Sequence, residues 1–222
     1  MTMRWMLTAA MAAMLAATPA IAQNRPVAGP SGPAATAKEA QVEGFRNARF
    51  GMTEAQVRDA IGKDFKLSGD AIQRVEEPTE RTTALIVKVN DLLPESGPAV
   101  IAYLLGYKTK KLFRVNVIWG QEIGSPTKPE QIVGTANALR NYLLGQGYRQ
   151  EGLILNQSLG DDNVLVFQGN DVQGRLTELI LGITKKPPAK PDAQPEVAGA
   201  SLRLSYVEKP KEPDIYRVPG GF

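Results

Sequence analysis

The chain has 222 residues, with 26 Lys and Arg against 23 Asp and Glu, and neither His nor Cys. Without imidazole or thiol, the commonest general base, the usual serine and cysteine triads, most zinc sites and iron–sulfur clusters are excluded. The charge is close to balanced, which does not describe the basic face of a nucleic-acid binder, and stability has to come from a packed core because no disulfide can form.

Residues 1–22 read as a secretory signal peptide. Arg4 is the charged end, Trp5 to Ala17 the apolar run, and Ala20-Ile21-Ala22 the small-x-small cleavage pattern. The mature chain is expected to begin at Gln23 and to be periplasmic or secreted. The apolar run is shorter than the roughly 20 residues a spanning helix needs, so no membrane span is expected. A lipid anchor is not expected either, since no Cys stands at the cleavage site. Residues 23–42, rich in Pro, Ala and Gly, bury too little surface to offset the entropy of ordering, and read as a flexible arm.

Arg46 to Phe50 lead in as an extended segment or small strand. Thr53 and Gln56 then form a capping box, with Met52 and Val57 spaced as a hydrophobic staple. Val57 and Ile61 share one face, and Gly62 is the expected stop, giving a helix over 53–62. Residues 81–90 alternate as a strand, 99–107 form an apolar strand, and 112–119 form a third, with Phe113, Val115, Val117 and Trp119 on one side. The polar turn Lys108-Thr109-Lys110 makes the last two a hairpin. The pattern then restarts. Thr127 and Glu130 offer a second capping box around Pro129. Ile132, Ala136, Leu139 and Leu143 make a helical stripe that Gly145 and Gly147 end. Strands are predicted over 164–168, 176–184 and 202–206, with a mobile Pro- and Lys-rich loop over 185–199 and a tail over 208–222 that its prolines keep out of a sheet.

The fold class is therefore α+β. Two tandem units, each a helix and three strands, at about 43–121 and 125–207, form an antiparallel sheet with the helices packed on one face. Phe50-Gly51-Met52-Thr53, followed by Val57 and Ile61-Gly62, resembles the helix opening of the small lipoprotein family of the outer-membrane β-barrel assembly machinery. The element order is also similar to the repeats of the secreted β-lactamase inhibitor protein. The whole chain looks like an uncharacterised family of exported, periplasmic proteins of Gram-negative bacteria. These resemblances imply binding in the cell envelope and supply no catalytic residue.

The residues themselves leave few candidates for chemistry. Asp161-Asp162 beside Asp171 could act as acid and base or hold a hard cation, but Asp is also the ordinary residue of turns. Lys108, Lys110 and Lys111 beside Tyr107 could meet an anionic glycan or head group, although a hairpin turn is polar in any case. Trp119, Tyr103 and Phe113 could line a recognition surface, and their alternation assigns Phe113 and Trp119 to the core. No cofactor, no catalytic residue and no metal are expected. The expectation is a non-enzymatic binding or interaction protein of the envelope, its partner an envelope protein that docks on the open face of the sheet. A secreted inhibitor of a hydrolase and a carboxylate-dependent enzyme stay open as alternatives.

Overall fold

A computed structural model describes residues 39–90, 92–187 and 196–217. The expected signal peptide and residues 23–38 of the expected arm lie outside the described residues.

Helix α1 (Glu54–Phe65) starts as its sequence dictates. Thr53 Oγ1 accepts the Gln56 N–H at 3.5 Å, and Gln56 Oε1 accepts the Thr53 N–H at 2.9 Å. The box satisfies two of the amides that a helix start leaves unpaired. The helix runs past Gly62, against the expected stop. Lys66 instead takes the left-handed conformation, φ 60°, and gives its N–H to the Gly62 carbonyl. Helix α2 (Pro129–Leu144) also differs from expectation at its start. Lys128 is the cap residue and donates its N–H to Gln131 Oε1 at 3.3 Å, while Thr127 shares a 2.7 Å hydrogen bond with Ser125. The Thr127–Glu130 box does not form. The stripe Ile132, Ala136, Leu139 and Leu143 is buried as its spacing predicts.

A short hairpin, β1 (Gly44–Phe45) and β2 (Ala48–Arg49), precedes α1. Four strands follow α1: β3 (Gln73–Glu77), β4 (Thr82–Val89), β5 (Ala99–Leu105) and β6 (Leu112–Gly120). Four follow α2: β7 (Ile154–Gly160), β8 (Asn163–Asn170), β9 (Leu176–Lys186) and β10 (Glu196–Val207). All eight make one antiparallel sheet in the order β3-β4-β5-β6-β10-β9-β8-β7. Each helix is thus followed by four strands, not three. The two missed strands, β3 and β7, are the edges of the sheet and largely exposed. The loop expected over 185–199 is shorter, because β9 and β10 continue to pair at Lys186 and Glu196; residues 188–195 lie outside the described residues.

Registry fixes the faces. Leu202 pairs with Trp119 and Leu181, and Leu204 with Val117 and Leu179, so these side chains share one side of the sheet. Val57 and Ile61 of α1 and the α2 stripe join the same buried cluster. Both helices therefore cover this side. Ala84, Ile86, Val100, Leu104, Ile118 and Ile180 alternate to the other side, which neither helix covers, and are only half-buried. No helix among the described residues is long and apolar enough to cross a membrane.

Thr53→Ala is expected to cost about 1 kcal/mol by removing the cap. Denaturant unfolding measures it, and an unchanged midpoint would mean that Thr53 does not hold the start of α1.

Candidate functional site

The segment before β1 is not free arm. Ala40 and Val42 are buried, and the Ala40 N–H bonds the Gly147 carbonyl at 3.0 Å. The Val42 N–H donates to Asp171 Oδ2 at 3.0 Å. Asp171 is itself buried, at the turn between β8 and β9. It also accepts the Gln173 and Arg175 N–H groups, each at 2.9 Å, and the Arg175 guanidinium at 2.7 Å. Burial alone raises its pKa. The Val42 and Arg175 hydrogen bonds and the Arg175 charge outweigh that, and the net value lies below the ordinary carboxylate range.

Pinned in this way, residues 39–46 run beside α2 without closing onto it. Between them lies a groove of about 1040 Å³. Its floor is Trp119 of β6 and Leu204 and Tyr206 of β10, side chains that the β6–β10 pairing puts on the helix-covered face. Ala138, Leu139 and Leu143 of α2 form one wall, Val42 and Phe45 the other, and Leu92 to Pro94 one end. Phe45 stacks on Tyr206 with ring centroids 6.0 Å apart. Tyr148, also in the lining, gives its hydroxyl hydrogen to Thr177 Oγ1 at 2.7 Å. The Trp119 Nε1–H is buried without an acceptor, and the Tyr206 hydroxyl makes no hydrogen bond among the described residues. Burial drives the Tyr206 phenol far above its ordinary pKa, so it stays a neutral donor. A largely apolar concavity of this size, with a few fixed polar groups, has the form of a small-ligand site.

Apart from Trp119, the sequence-chosen residues fall elsewhere. Asp161 and Asp162 are the two residues of the β7–β8 turn, both exposed, with φ of 48° and 58°. Consecutive left-handed residues are what a two-residue hairpin turn needs. Asp162 is paired with Lys185. Asp171 is engaged in its own network, and no cluster of acidic side chains that could hold a metal is found among the described residues.

Tyr107, Lys108, Lys110 and Lys111 do sit together, at the β5–β6 turn, but the tail is docked there. Asp214 accepts the Lys108 and Thr109 N–H groups at 2.9 Å each and the Thr109 hydroxyl at 2.6 Å. The Tyr107 N–H bonds the Asp214 carbonyl, and Tyr216 packs edge-on against Tyr107 with centroids 5.4 Å apart. The Arg81 guanidinium stacks 3.8 Å over the Tyr216 ring. The amides that could have received an anion are therefore taken by a carboxylate of the same chain. Tyr103 and Trp119 are buried in the core cluster; Phe113 is buried outside it, because the register shift between β5 and β6 passes over Phe113 and gives the core position to Leu112. Sequence reading gave Trp119 a core role and missed the groove above it; the contact that builds the groove wall joins Val42 to Asp171, far apart in the chain. No family model, curated protein or solved structure matches the chain.

Asp171→Asn should lower stability at neutral pH by roughly 2–3 kcal/mol, since buried amides and a buried guanidinium lose their anion. The native pKa is depressed, so this stabilisation is complete above the unfolded value of 3.8 and disappears as pH falls through the native one. The gap between variant and parent should narrow below about pH 4; a gap independent of pH would rule out the charge as its source. Gly106→Ala would put a Cβ 2.1 Å from Asp214 Oδ2. It should release the tail and speed hydrogen exchange at the Lys108 and Thr109 amides. Unchanged protection there would show that Asp214 is not what covers them.

Proposed function

We propose that this chain is a non-enzymatic binding protein of the cell envelope, and that its ligand seats in the groove between α2 and residues 39–46. The observation that carries this reading is the groove itself: about 1040 Å³ over a floor of Trp119, Leu204 and Tyr206, with largely apolar walls. The candidate carboxylates favour binding over turnover as well, because Asp161 and Asp162 lie exposed on a hairpin turn and Asp162 is paired with Lys185. The resemblance of the α1 opening to envelope binding modules points the same way, as does the expected export signal. The repeated order of a helix and four strands supports a tandem duplication as the origin of the sheet.

The groove is favoured over the uncovered face as the site. That face is half-buried and flat in composition, with Arg114, Asn116 and Arg203 interrupting its apolar residues, whereas the groove is concave.

The test is titration with a neutral apolar fluorescent probe such as N-phenylnaphthylamine. One saturable site is expected. Ala138 is exposed in the groove wall, so Ala138→Phe should fill the space without removing core and reduce binding at least about tenfold, a loss of roughly 1.4 kcal/mol, at an unchanged unfolding midpoint. Binding that persists in that variant would place the site elsewhere, and no binding to the parent chain would remove the groove as a site.

A further inference from the structure

Resting on the groove as the binding site, we infer that its ligand is a single-chain anionic amphiphile, with the alkyl chain along α2 and the carboxylate at Arg46. The inference starts from what the lining offers. Apart from the tyrosines, Glu39 and Arg46 are the only ionisable groups lining the groove among the described residues. They mark opposite ends of one wall. Glu39 adjoins Ala40, which is bonded to Gly147 just after α2. Arg46 stands over the Phe65 ring at the far end of α1, its guanidinium carbon 4.9 Å from the ring centroid, and 5.8 Å from that of Phe45.

The two ends are not equally built. Arg46 is held by the β1–β2 turn at φ 53° and braced by two aromatic faces, which orient a planar guanidinium for bidentate contact with a carboxylate. No carboxylate among the described residues lies within ion-pairing distance of it, although Arg49, three residues on, is paired with Glu43. The Tyr206 phenol, also in the lining, adds a hydroxyl that makes no hydrogen bond among the described residues. A cation without an ion-pair partner among the described residues selects a ligand with a carboxylate at that end. Leu92, Leu93, Pro94, Leu139, Leu143 and Leu204 select an alkyl chain for the rest.

Trp119 makes the test direct. The chain has two tryptophans, Trp5 and Trp119, so full-length chain carrying Trp5→Phe reports from the groove floor alone. It is titrated with dodecanoate, dodecanol and dodecylamine. A saturable change in Trp119 emission is expected with dodecanoate, at about tenfold tighter affinity than with dodecanol, the scale of one charge-assisted hydrogen bond. Arg46→Ala should abolish that preference, bringing dodecanoate to the affinity of dodecanol in the same variant, and Arg46→Lys should restore part of it. Equal affinity for the acid and the alcohol in the parent chain overturns the anionic head while the groove stands as a site. Tightest binding of dodecylamine assigns the head to Glu39 and overturns it as well. No response to any of the three, together with unaltered N-phenylnaphthylamine binding in Ala138→Phe, removes the groove itself.

Discussion

Everything in this molecule depends on the pairing of β6 with β10. Seven residue pairs, from Ser201–Gly120 to Val207–Arg114, join two four-stranded antiparallel sets into one sheet. Because side chains alternate along a strand, that register decides which residues meet. Trp119 falls beside Leu202, Val117 beside Leu204 and Val115 beside Tyr206, all under the helices. A slip by one residue would turn Arg203 and Ser205 into the core and Leu202 and Leu204 away from it. The floor of the groove is therefore a product of the seam, contributed by one strand from each half.

The walls are set by a second constraint, the buried carboxylate of Asp171. A lone buried charge is costly, and this one is supported by three backbone amides and a guanidinium. One of those amides belongs to Val42. The chain that enters the domain is thereby fastened beside α2, and Phe45 is carried onto Tyr206. Asp214 repeats the device at the opposite end of the chain, where it closes the tail over the β5–β6 turn and leaves no room for a Cβ at Gly106. Two carboxylates, each satisfied by backbone donors distant in sequence, fix the two ends of the described chain to the sheet.

Local features were legible in the sequence and distant ones were not. Thr53 and Gln56 are three residues apart, so their reciprocal bonds could be read directly. The α2 stripe and the alternation of β4, β5, β6 and β10 carry strong apolar periods, and the α+β class with one antiparallel sheet follows from them. The edge strands β3 and β7 escaped because an edge exposed on most sides has no apolar period: Gln73-Arg74-Val75-Glu76-Glu77 and Asn156-Gln157-Ser158 look like loop. The end of α1 was misplaced because glycine is the usual left-handed residue, and here Lys66 takes that conformation. Of the groove, Trp119 alone was singled out, and as core; neither the groove nor the tail that covers the Tyr107 turn could be read. Both arise from contacts between residues more than a hundred positions apart.

The seam also sets the order in which the chain can reach its final form. Strand β6 is complete early in the sequence, and its partner β10 is nearly the last element. The whole of α2 and three further strands must be laid down between them. Contacts between such remote positions form slowly, because the loop has to close before any pairing rewards it. Through that interval β6 presents a bare row of amides and carbonyls next to Val115, Val117 and Trp119, the kind of edge on which a second chain can template. The finished sheet ends in two polar strands, but the half-made one ends in a largely apolar strand. The β6 edge is thus exposed for pairing until β10 arrives, at the end of the described fold.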